Sequence, residues 1–135
     1  MKKQLIFFVL LTVSFFGFSQ GLLSEKEKFN RQDTLRGSIT PEREWWDLTY
    51  YHLDIDVNPN DKFISGKNTI QYEVLKPYQT MQIDLQSPME ITKVIQNGKE
   101  LDVEHDGNAH FIQLNDKQNI GDINSVIVHY KGFPK

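Results

Sequence analysis

Residues 45–57 read W-W-D-L-T-Y-Y-H-L-D-I-D-V, residues 58–61 read N-P-N-D, and residues 62–74 read K-F-I-S-G-K-N-T-I-Q-Y-E-V. In the first arm Tyr51, Leu53, Ile55 and Val57 alternate with Tyr50, His52, Asp54 and Asp56. In the second, Ile70, Tyr72 and Val74 alternate with Thr69, Gln71 and Glu73. A period of two with one apolar side is the pattern of a half-buried strand. Asn58-Pro59-Asn60-Asp61 has turn chemistry, because Pro fixes φ and Asn or Asp side chains bond nearby backbone. The stretch therefore predicts a β-hairpin. Leu53, Ile55, Ile70 and Tyr72 are expected inside, and Asp54, Asp56, Gln71 and Glu73 outside.

The rest of the chain repeats the theme. Met81, Ile83 and Leu85 alternate with Gln82 and Asp84 to give a third strand, which Ser87-Pro88 stops. Ile91–Gln96 and Lys99–Val103 flank Asn97-Gly98, a strong hairpin signal, since a type I′ turn needs positive φ at both central residues. His105–Asn108 reads as a turn, Ala109–Leu114 as a strand, Asn115–Asn124 as a loop and Ser125–Tyr130 as a last strand, ended by Gly132 and Pro134. About seven short strands with frequent turns, and no helix after Trp45, predict an all-β fold, an antiparallel β-sandwich. A closed barrel fits the same pattern.

The 135 residues suffice for one domain. Residues 1–19 carry Lys2 and Lys3, an apolar run from Leu5 to Phe18, and a Gly17-Phe18-Ser19 end. This reads as a secretory signal peptide cleaved before Gln20. The run is short for a membrane anchor, which needs about 20 apolar residues, so no membrane span is expected after cleavage. Residues 20–44 read as a polar leader crossing the sheet surface. Gly21–Asn30 is a candidate short helix capped by Ser24, and Leu35–Pro41 is expected to break any helix. Residues 45–135 form the β-sandwich domain.

Loss of Lys2 and Lys3 lowers the basic count from 15 to 13 against 18 acidic residues, a net charge of −5. No basic run survives, so nucleic acid is not an expected partner. The chain has no Cys, so an exported domain would rely on packing alone.

Candidate chemistry is sparse. Asp54-x-Asp56-x-Asn58 begins like a calcium loop, but Pro59 and Ser65 hold the places that need Gly and Glu. The solvated face of a strand is the better reading of this alternation. His105 and His110 are five apart across Asp106-Gly107-Asn108, not the helical four of H-E-x-x-H. His52 and His129 lie on separate strands. Trp45, Trp46, Tyr50, Tyr51 and Tyr78 could form a sugar-binding platform, although aromatics more often fill cores and interfaces. No nucleophile elbow or phosphate loop is present. The residues alone thus give no catalytic, cofactor-binding or metal-binding position.

The order of the segments resembles the N-terminal domain of aminopeptidase N-like zinc metallopeptidases, the gluzincins. The residues that carry the likeness are Tyr51–Val57, Phe63–Ile70 with Ser65-Gly66, Met81–Leu85, Ile91–Val94 with Asn97-Gly98 after it, and Val128–Pro134. The leader Arg36–Asp47 is similar to that of exported bacterial members. The resemblance covers Leu35 to Lys135. It implies a saddle-shaped β-domain, incomplete at its C-terminal end, that packs on a catalytic domain and walls the substrate entrance. In the family, zinc and the peptide's amino end are held by H-E-x-x-H, a distant Glu and G-x-M-E-N; none of these motifs is in this sequence. The expectation is a non-catalytic part of an exported zinc aminopeptidase, periplasmic or extracellular. It would be inactive alone, with the catalytic domain as partner and peptides reached only through it. A complete small secreted β-sandwich that binds carbohydrate or protein is the alternative.

Overall fold

The computed structural model describes residues 28–135. The segment read as a signal peptide, and most of the candidate helix at 21–30, lie outside the described residues. Helix α1 (Arg31–Gly37) and the one-turn α2 (Pro41–Glu44) precede eight strands. These are β1 (Trp46–Asn58), β2 (Phe63–Val74), β3 (Thr80–Asp84), β4 (Glu90–Gln96), β5 (Lys99–Leu101), β6 (Val103–Asp106), β7 (Ala109–Gln113) and β8 (Ile123–Gly132). Two antiparallel sheets result, a five-stranded one ordered β1-β2-β8-β4-β5 and a three-stranded one ordered β3-β7-β6. The sandwich expected from the alternation is present, and both sheets are open.

The turns follow their residues. Asn58 Oδ1 accepts from the Asp61 amide at 3.2 Å, and Asn58 Nδ2 donates to the Asp61 carboxylate at 2.7 Å. Asn97 and Gly98 both have positive φ, 50° and 76°, as a type I′ turn demands. One expected strand is split. The chain leaves the large sheet at Leu101 and enters the small one at Val103, so residues 99–103 serve both sheets. The expected turn at His105–Asn108 narrows to Gly107-Asn108, because His105 and Asp106 pair with His110 and Ala109.

Helix placement in the leader differs from expectation. Residues 28–30 are not helical, and α1 runs through Leu35 to Gly37. Asn30 and Asp33 form a reciprocal capping box, each side chain accepting the other's backbone N–H, and this fixes the start at Arg31. Pro41 then begins α2 rather than ending a helix, since the first helical position needs no N–H.

The core lies between the sheets. Ile70, Tyr72, Val74, Val94, Val126 and Val128 of the large sheet meet Met81 and Ile112 of the small one, with Trp45, Leu101 and Leu114 at the margins. Trp45 stands edge-on to Tyr72 at 5.7 Å and donates its Nε1–H to the Thr80 carbonyl at 2.7 Å. Tyr72 O–H donates to Gln118 Oε1 and accepts from Gln96 Nε2. Burial pushes this phenol up to about 12.

The outer face of the small sheet is also covered, by the leader. Gln82 would stand on the wet side of β3 by alternation, yet it is buried. Its Nε2 donates to the Leu35 carbonyl at 3.1 Å, and its Oε1 accepts from Thr40 at 2.8 Å. Arg43 pairs with Asp84, and Arg31 and Gln32 bond to Asp106.

Candidate functional groove

The two sheets do not cover each other completely. Strands β1, β2 and β8 extend past the edge of the small sheet, leaving an apolar groove of about 730 Å³. The register explains its floor. Ile64 pairs with Val57, Asn68 with Leu53 and Ile70 with Tyr51 on one side, and Gly132, Val128 and Val126 follow on β8. Directly opposed residues share a face, so this is the same face that builds the core. Ile83, Leu85 and Met89 form one wall, and Trp46 closes one end.

The polar groups of the groove are few. Arg43 and Asp84 form an ion pair at the rim. Asn68 sits on the floor, and its Oδ1 is buried without a hydrogen-bond partner among the described residues. A buried carbonyl left unpaired costs about 1–3 kcal/mol, so a donor from outside would be favoured at this point. Burial raises the pKa of both Tyr51 and Tyr130, and for Tyr130 the Asp54 carboxylate adds to it.

On β1 the expected burial fails. Leu53 is 57% exposed and Ile55 48%, although Ile70 and Tyr72 are buried as expected. β1 is the edge strand, and the small sheet stops short of it. Asp54 and Asp56 are exposed as expected, whereas Gln71 and Glu73 are half-buried, flanked by β1 and β8.

The candidate aromatic platform does not assemble. Trp45 is a core residue at 1% exposure, and Tyr50 and Tyr51 project to opposite faces of β1. Trp46 is half-buried in the groove wall, and Phe133, 56% exposed, stands edge-on to Phe63 at 5.2 Å. On its groove-side face β1 exposes Leu48, Tyr51, Leu53, Ile55 and Val57. Their strand position was legible, but the missing cover was not, because no local pattern reports where a second sheet ends.

The remaining candidates stay apart. Asp54 pairs with Lys67 at 3.3 Å on the outer face of the large sheet. His105 and His110 are cross-strand neighbours with ring centroids 6.1 Å apart. Burial, and next the His105 charge, hold His110 below the usual imidazole range. His129 lies in the row beside Lys67, and its pKa is lowered by burial first and then by Lys93 and Lys67. Among the described residues no group of three or more His, Cys, Asp or Glu is arranged to hold a metal ion.

No protein-family model matches the sequence, and no curated protein does. Solved structures do match. The M1 zinc metallopeptidase from Deinococcus radiodurans is similar at a TM-score of 0.61 and 18% identity, over 70% of this chain and 22% of that one. A variant of a two-domain M1 zinc metallopeptidase bound to L-arginine matches at 0.59 and 19% identity, over 67% and 21%. Native yeast LTA4 hydrolase matches at 0.56 and 18% identity, over 67% and 15%. The chain spans about a fifth of the length of the first two and less of the third. Its two-sheet architecture is therefore the fold of a segment of the M1 zinc metallopeptidases.

Proposed function

We propose that this chain is the non-catalytic β-domain of an exported zinc aminopeptidase, and that its groove face is the seat of the catalytic domain. One observation carries the reading: the face that builds the core continues past the small sheet with no cover among the described residues. Burying apolar surface yields about 25 cal/mol per Å², and apolar patches of this kind on monomers often mark interaction sites. A catalytic domain packed there would shield Tyr51 and Leu53 and could donate to Asn68 Oδ1. Peptide cleavage and zinc would belong to that domain, with this one walling its entrance. Export rests on the apolar run from Leu5 to Phe18 and its small-residue end.

The test uses the chain with and without a separately produced catalytic domain of an M1 peptidase. Alone, it should bind no stoichiometric zinc, leave aminoacyl-anilides uncut, and take up a hydrophobic dye. The catalytic domain should displace the dye, and Leu53→Asp should weaken that association. One tight zinc per chain with chelator-sensitive activity would sink the reading. So would a chain that ignores both dye and catalytic domain, which is the behaviour of a self-contained binding module.

A further inference from the structure

Among the described residues the outer edge of β1 is free, and it borders the groove. β1 is terminal in the five-stranded sheet, so alternate backbone N–H and C=O groups along it face away from β2. Edge strands are normally blunted by charged side chains, Lys above all, and by Pro, bulges or short length; on β1 the charges are Asp47, Asp54 and Asp56. Between Trp46 and Asn58 there is no Lys and no Pro. The single irregularity, between Leu48 and Tyr50, leaves Tyr50–Asn58 straight and open.

We propose that two copies of this chain pair antiparallel along this edge, about a two-fold axis at Leu53, to make one continuous sheet across the dimer. The charges choose the axis. A two-fold perpendicular to the sheet keeps both apolar faces on the same side, so the axis passes through a pair of identical residues. Within the open stretch, an axis at Asp54 sets the two Asp54 carboxylates opposite each other. An axis at Ile55 sets Asp54 against Asp56 twice. Like charges directly opposed destabilise a sheet. An axis at Leu53 instead sets His52 against Asp54, Tyr50 against Asp56, Tyr51 against Ile55 and Leu53 against its own copy. Every carboxylate then faces a hydrogen-bonding ring or hydroxyl, and each copy presents an aromatic–β-branched pair, a favourable cross-strand combination. An axis at His52 aligns a shorter stretch, because the bulge at Thr49 cuts it off.

The pairing closes on itself. A two-fold contact uses the same edge on both copies and leaves that edge filled. The other terminal strands, β5, β3 and β6, are three, five and four residues long, and short edges pair poorly, so association should stop at two copies. Tyr51 and Leu53 line the groove and also flank the pairing axis, so a Leu53 substitution touches both surfaces; the cross-linking register, read on this chain without any catalytic domain, is what separates the dimer from the catalytic-domain reading.

The absence of Cys makes the test clean. Sedimentation of the full chain across concentration should show a monomer–dimer equilibrium. Under mild oxidation or a short bis-maleimide, Leu53→Cys should cross-link to itself. Tyr51→Cys alone should not, but mixed with Ile55→Cys it should. Leu53→Lys, which sets two ammonium groups on the axis, should weaken dimerisation more than tenfold; Leu53 is exposed, so the fold should survive, as circular dichroism would verify. A chain that stays monomeric at every concentration overturns the proposal. So does a dimer in which Asp54→Cys cross-links and Leu53→Cys does not.

Discussion

The two strands of the opening hairpin share one sheet face but not one environment. On β2, Ile70, Tyr72 and Val74 are buried at 3%, 0% and 0% exposure, roofed by Met81, Ile112 and Trp45. On β1, Leu53, Ile55 and Val57 continue the same face and remain about half exposed. Their side chains are as apolar and their alternation is as regular. The difference is the width of the opposing sheet, three strands against five. Alternation decides which residues share a face, and a distant part of the chain decides whether that face is covered.

The sharpest way to break this comparison is to truncate residues on both sides of the boundary. Trp45→Ala should cost about 3–5 kcal/mol and Ile70→Ala about 2–5 kcal/mol, because both leave cavities under a closed roof. Leu53→Ala should change stability by no more than about 0.5 kcal/mol, the range for surface positions. Urea unfolding of the monomer, at concentrations below association, measures all three. Equal losses at Ile70 and Leu53 would mean that the groove is closed in solution.

An intermediate effect is expected at Gly66, which lies between the two environments and pairs with Ile55. A Cβ there would stand 2.1 Å from the Asp54 carbonyl oxygen, a backbone atom that cannot swing aside. Gly66→Ala should push β1 off β2 and cost about 1–3 kcal/mol, as overpacking does. Faster amide exchange confined to β1 and the Ser65–Lys67 stretch would locate the damage. A loss spread evenly over both sheets would show that β1 is not an independently yielding edge.

The smallest effect is a pH dependence on the covered side. His110 is held below its ordinary value near 6.5, first by burial and then by the His105 charge. The unfolded chain therefore takes up its proton at a higher pH than the folded one. Stability from this group is fully present above about pH 6.5 and falls as the pH drops towards the folded value. His110→Gln should flatten that acid slope. An unchanged slope would assign it to other groups, His129 first.

Against these expectations, what was legible in the sequence follows a physical line. Hairpins, turn types and the two-sheet class rest on neighbours in the chain: Asn97-Gly98, Asn58–Asp61 and the alternation at Ile70–Val74 all behave as read. Three errors share one cause. Leu53 lacks cover, Gln82 gains it, and residues 99–103 divide between sheets, each through contacts with residues far along the chain. Gln82 illustrates this well, since its partners Leu35 and Thr40 are more than forty residues away. The groove was invisible for the same reason. It has no motif, only an apolar face and one unpaired amide oxygen at Asn68.

The leader's anchoring carries a mechanical consequence. Arg31 and Gln32 grip Asp106, Gln82 grips Leu35 and Thr40, Arg43 grips Asp84, and Trp45 bonds to Thr80. These attachments succeed one another along the chain, each on the small sheet. Tension applied at residue 28 would load them in series, peeling one at a time rather than shearing all together. The early ones are polar and partly wet, so they yield at low force. Trp45, whose indole is locked into the core, is the stop. A tug arriving from upstream would be spent on the leader before reaching the hairpin, and a cut anywhere before Asn30 would leave every one of these attachments in place.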